Sequence, residues 1–159
     1  MKLWIPAAAT AIALSAQPPA PGPGPQPLYQ ITVVSRTTPA LNYGHRAIPT
    51  RIDFKGTVLS PLAKGEAVVS PKRGVVEVNA NFRELGPPHQ FGASYLTYVV
   101  WAITPQGRAS NLGELILNGR NKGSMRLTAD LQSFALIVTA EPYFSVTQPS
   151  GVVVLENAL

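Results

Sequence analysis

The chain has 159 residues, with 13 Lys and Arg against 8 Asp and Glu, and its 45% apolar content suffices to close the core of one domain. Its 16 prolines, 13 glycines and 13% charged residues set it apart from a helical protein, whose exposed positions fill with Ala, Leu, Glu and Lys. It has no cysteine, which excludes disulfides, thiol catalysis, cysteine-ligated zinc and acylation through a lipobox cysteine.

The first segment, residues 1–16, has the three-part form of a secretory signal peptide: Lys2, an apolar run from Leu3 to Leu14, then the small residues Ser15 and Ala16. The run is shorter than the roughly 20 apolar residues of a spanning helix, and Pro6 interrupts it, so no transmembrane segment is expected in the mature chain. Residues 17–27 read QPPAPGPGPQP. Proline fixes φ and removes the backbone donor, so this stretch is expected to be an extended spacer ahead of a domain at 28–159.

From Leu28 the pattern turns to short β-type runs punctuated by turn residues. Ile31 and Val33 alternate with Thr32, and Ile52, Phe54 and Val58 alternate with Asp53, Lys55 and Thr57. Ala67–Val69, the turn SPKRG at 70–74 and Val75–Phe82 read as a hairpin. Its second arm turns Val76, Val78, Ala80 and Phe82 inward and Glu77, Asn79, Asn81 and Arg83 to water. Gly86-Pro87-Pro88 cannot continue a ladder, so 85–94 is expected to be a crossover connection.

The most apolar run, YLTYVVWAI at 95–103, barely alternates and is expected to be a central strand with both faces against protein, Trp101 anchoring the core. Thr104-Pro105-Gln106-Gly107 suits a type I turn. Further strands are expected at 111–117, 124–131, 133–139 and 152–155, with a turn at Asn118-Gly119. These eight or nine strands predict an all-β fold, a two-sheet antiparallel β-sandwich with immunoglobulin-like packing.

The chain is sparse in chemistry. His45 and His89 are the side chains that titrate near neutrality, and both fall in predicted loops without a nucleophile elbow, paired carboxylates or a Gly-rich phosphate loop beside them. The acidic residues are spread singly, so no metal and no cofactor is expected. The bases are scattered, and Lys72 and Arg73 sit in a turn; a nucleic-acid reader clusters Lys and Arg with interleaved aromatics, so no nucleic-acid partner is expected. Tyr43, His45 and Arg46, in a loop with Asn42 and Gly44, form with Arg51 the candidate partner-binding surface, carrying donors and cations on a rigid scaffold.

The stretches TVVSRTTPALNYGHRAIPTRIDFKGT, YLTYVVWAITPQGRASNLGEL and ALIVTAEPYFSVTQPSGVVVLEN resemble the N-terminal β-rich domain of acidobacterial OmpA-family envelope proteins. That resemblance implies an exported envelope protein in which such a domain precedes a helical region and a peptidoglycan-binding domain. The sequence reaches Leu159 where the helical part would begin, so peptidoglycan anchoring is not carried over. Gly44 stands where that loop in the family tends to carry a basic residue, so a basic recognition patch is not carried over from the family either. Tyr98, Trp101, Glu141, Pro142, Gln148 and Pro149 give a looser similarity to the extracytoplasmic domain of anti-sigma-K-type factors.

The sequence thus predicts a non-enzymatic cell-envelope module, periplasmic or outer-membrane-associated, that interacts with an envelope protein or a glycan. A glycan- or peptidoglycan-binding domain using Tyr43, Arg46 and Arg51, or an extracytoplasmic sensor domain, is the alternative. An enzyme would need His45 or His89 beside a carboxylate in a cleft.

Overall fold

The computed structural model describes residues 29–33, 36–43 and 48–158. The signal peptide at 1–16, the spacer at 17–27, His45 and Arg46 lie outside the described residues. Ten strands follow one another: β1 (Tyr29–Val33), β2 (Arg36–Asn42), β3 (Thr50–Gly56), β4 (Lys64–Pro71), β5 (Val76–Arg83), β6 (Thr97–Ile103), β7 (Ala109–Leu115), β8 (Gly123–Ala129), β9 (Ser133–Glu141) and β10 (Val153–Ala158). A short 3-10 turn at Pro88–Phe91 is the one helical element among the described residues, and no helix there is long and apolar enough to cross a membrane.

All the ladders are antiparallel. Eight strands form one path, β7-β6-β9-β10-β3-β4-β5-β8, and its two end strands approach each other, so the sheet nearly closes in a barrel-like shape. Strands β5 to β8 lie in the spatial order β5-β8-β7-β6, a Greek-key arrangement that the Pro-rich connection from β5 to β6 makes by crossing one end of the barrel.

Period-two alternation fixes which side chains fill the interior. In β5 the expected Val76, Val78, Ala80 and Phe82 are buried, and they meet Ile52 and Phe54 of β3 and Val69 of β4. Phe54 and Phe82 touch edge to face, with ring centroids 5.1 Å apart. The opposite wall supplies Tyr98, Val100, Ala102, Leu136 and Val138.

Strand β6 is buried along its whole length, as its unalternating sequence predicts, because β7 and β9 flank it and both faces are covered. Trp101 does not sit in the principal core, however. Tyr98, Val100 and Ala102 point inward, so Val99, Trp101 and Ile103 take the opposite parity. They build a smaller outer cluster with Ala40, Ala135, Ile137 and Val153, against which Val146 packs. The β9–β10 connection is tied back onto this side: the Asn111 amide donates to the carbonyls of Phe144 and Val146, both at 2.9 Å.

The turn after β6 closes as expected, with the Gly107 N–H donating to the Thr104 carbonyl at 2.8 Å and Gly107 at φ +79. Strand β2 has no strand signal in its sequence, since RTTPALN carries a proline and little alternation. It pairs β1 along its length and β9 only through Leu41 and Asn42. Pro39 can sit there because a side chain, Asn157, reaches its carbonyl in place of a full neighbouring strand.

Candidate functional site

The outward side chains of β3, β4, β5 and β8 make a four-strand polar face, and the registers place them in rows. Arg51 lies opposite Val68, Val68 opposite Asn79, and Asn79 opposite Arg126. The next row is Asp53, Glu66, Asn81 and Ser124. Long and amide side chains two residues apart on a strand share a face, so the rows interlock.

Hydrogen bonds hold them. The Arg51 guanidinium pairs with Glu66 and lies 3.9 Å from Asp53, while Arg126 Nε donates to Asn79 Oδ1 at 2.7 Å. Asn79 Nδ2 in turn donates to Glu77 at 3.1 Å. A shallow depression of about 470 Å³ opens over Asn79, Asn81, Ser124, Met125 and Arg126, and a smaller one of about 60 Å³ lies beside it over Arg51, Glu66 and Val68. Two amides, a hydroxyl, a carboxylate and two guanidinium groups on one face offer donors and acceptors to a ligand lying flat across the strands.

The residues expected at a recognition loop separate. Tyr43 is buried, and its ring packs on Phe134 with centroids 4.8 Å apart, which makes it a core residue. Arg51 is exposed and belongs to the polar face, on a strand instead of a loop. Asn79 and Asn81 stood in the wet phase of β5 in the sequence; Ser124 and Arg126 could have been found by the same parity, but joining them to Arg51 needed the strand order.

A second concavity, of about 380 Å³, lies between the β5–β6 and β7–β8 connections, lined by Pro87, Leu96, Tyr98, Ile116 and Leu117 among others. At its wall Thr97 donates to Glu114 at 2.5 Å, and Tyr98 donates to the Gly86 carbonyl at 2.8 Å. Burial pushes the Tyr98 phenol up to about 12, opposed by a hydrogen bond with Gln90. The folded-state value exceeds the unfolded one of 10.0, so the stability tied to the neutral phenol is complete below pH 10 and lost as pH rises through 12. Urea denaturation is therefore expected to lose on the order of 2 kcal/mol across that window. Tyr98→Phe should remove this alkaline step, and an unaltered step in the variant would contradict the assignment.

His89 is exposed on the 3-10 turn. Among the described residues no three His, Asp or Glu side chains are grouped to hold a metal ion. Comparison with family models, curated proteins and solved structures gives no match to this chain.

Proposed function

We propose that the protein is an exported, non-catalytic module of the cell envelope that uses no cofactor and engages a glycan or an envelope protein through the outer face of β3, β4, β5 and β8. The observation that carries this reading is the convergence of Arg51, Glu66, Asn79, Asn81, Ser124 and Arg126 around two adjoining depressions on one sheet face. Sugar hydroxyls both donate and accept, and a set of amide, carboxylate and guanidinium groups matches them without a deep pocket. This favours the glycan as ligand, with periplasmic or outer-membrane-associated placement.

The finer architecture belongs to the same proposal. Strands β7-β6-β9-β10 and β3-β4-β5-β8 act as two layers of an immunoglobulin-like sandwich, joined by the β10–β3 ladder and sharing one interior cluster. The resemblance to N-terminal domains of OmpA-family proteins and, more loosely, to anti-sigma-K-type extracytoplasmic domains supports export and a binding role.

Co-sedimentation of the purified domain with isolated cell-wall polysaccharide tests the reading. Wild type should pellet with it, and Asn79→Ala combined with Arg126→Ala should weaken binding by about tenfold or more, since each lost hydrogen bond to a charged group is worth about 1.5–3 kcal/mol. Equal pelleting of wild type and variant, with both folded, would remove this face from the proposal.

A further inference from the structure

The end of the barrel where β3, β5 and β7 finish and β4, β6 and β8 begin combines two features. Four connections of the barrel leave the strands at this end, and of the ten large hydrophobic residues exposed among the described residues, five stand on three of them: Val58, Leu59 and Leu62 between β3 and β4, Leu96 before β6, and Ile116 after β7. The fourth, between β9 and β10, carries Tyr143 and Phe144 and is held back against β7 by Asn111. Val58 is 85% exposed, Leu62 and Ile116 each 74%, and Leu96 70%.

The β3–β4 loop that carries three of them is firmly built. Thr57 is buried and donates through Oγ1 to the Val153 carbonyl at 2.7 Å. Two successive turns follow, Ser60 N–H to the Thr57 carbonyl and Ala63 N–H to the Ser60 carbonyl, both at 3.0 Å, with Ala63 fully buried. Gly56 lies so close to Ser60 and Ala63 that a Cβ there would fall 2.0 Å from the Ser60 carbonyl oxygen. A loop anchored this tightly holds its aliphatic side chains in water by construction, where a free loop would fold them away.

The second feature is a row of cations just behind these tips. Lys55 lies opposite Lys64, Lys64 opposite Arg83, and Lys122, one residue before the Gly123 that faces Phe82, comes opposite Arg83. All four are exposed, and Arg83 and Lys122 line one depression. Glu156 lies 3.6 Å from Lys55, whereas among the described residues no carboxylate is within ion-pair distance of Lys64, Arg83 or Lys122. Like charges set opposite one another across strands repel, so an anionic surface laid over the row relieves that repulsion.

We infer that this end docks on a bilayer of anionic phospholipid, Val58, Leu59, Leu62, Leu96 and Ile116 entering the interface and Lys55, Lys64, Arg83 and Lys122 meeting the headgroup phosphates. A bilayer asks for this combination of aliphatic tips backed by cations at headgroup depth. A single-stranded nucleic acid would be served by aromatic platforms beside the cations, and an acidic glycan would leave the aliphatic tips without a role. The cation row is the end row of the same outer sheet face proposed above for glycan binding, and its depression is shared with Asn81 and Ser124; the test substitutes none of the residues named there for the glycan.

The test is co-sedimentation of the full mature chain with vesicles of phosphatidylethanolamine and phosphatidylglycerol, against vesicles of phosphatidylcholine alone. Partition into the anionic vesicles is expected to be at least about tenfold stronger and to fall with added salt. Lys64→Glu with Arg83→Glu, and independently Val58→Ser with Leu62→Ser, should each lower it by about tenfold while the circular-dichroism spectrum stays β-type. Equal partition into the two vesicle types, or indifference to either pair of substitutions, would overturn the proposal. So would a dimer that Leu62→Ser splits in the absence of vesicle binding, which would assign the end to a second copy.

Discussion

Trp101→Ala is expected to lower the unfolding free energy by about 4 kcal/mol, the largest loss from a single substitution in the outer cluster. The indole is fully buried, so its removal takes away contacts with Val99, Ile137 and Val153 and leaves a cavity beside two central strands. It also breaks a polar chain: Trp101 Nε1 donates to Thr139 Oγ1 at 2.8 Å, and the Thr139 hydroxyl donates to the buried Glu141 carboxylate. The Ser150 N–H donates to the same carboxylate oxygen at 2.7 Å, pinning the β9–β10 connection.

Area and hydrogen bond can be separated. Trp101→Phe should lose about 2 kcal/mol, and a double-mutant cycle with Thr139→Val should return about 1 kcal/mol of coupling. Urea denaturation followed by circular dichroism measures all of these, because Trp101 is the sole tryptophan of residues 28–159 and its removal abolishes the fluorescence signal. A Trp101→Ala loss below about 1 kcal/mol would mean that the outer cluster is not cohesive.

Much of this fold is legible in the sequence, and the parts that are not share one cause. The alternation of Val76, Val78, Ala80 and Phe82 names the inner face of β5 directly, and the unalternating run of β6 names a strand covered on both sides. Alternation is a local property, and it says which residues share a side of one strand. It does not say which strands are neighbours.

For that reason Trp101 is easily placed in the main core, although its parity with Val99 and Ile103 puts it outside. Tyr43, in a stretch of polar and glycine residues, reads as a recognition residue until β2 is seen to carry it onto Phe134. The cations of β3, β4, β5 and the start of β8 look scattered along the chain because their spacing, Lys55, Lys64, Arg83 and Lys122, is set by hairpin registers and one crossover. The candidate surfaces are products of strand order, whereas the core is a product of composition and period.

Asn157 presents the same lesson in a single residue, and Asn157→Ala is expected to cost about 3 kcal/mol. It lies in the last strand, 1% exposed, where β2 and β10 both reach β9. Its Oδ1 accepts the Leu136 N–H at 3.0 Å and its Nδ2 donates to the Pro39 carbonyl at 3.1 Å. One amide side chain therefore stands in for the peptide group that a continuous neighbouring strand would present to β9, and it fastens the β1–β2 hairpin by the carbonyl of a residue that has no N–H to give. Alanine leaves a donor and an acceptor buried without partners, each costing about 1–3 kcal/mol, and nothing of similar size can replace both.

The Thr38 hydroxyl, 3.4 Å from the same Oδ1, is a weaker contact, so Thr38→Val should cost less than about 1 kcal/mol. Hydrogen exchange localises the effect: in Asn157→Ala the amides of β2 and Leu136 should lose protection while those of β4 and β5 keep theirs. Uniform loss across all strands would mean that Asn157 supports the barrel as a whole, and no loss at β2 would refute its role as the fastening of the hairpin.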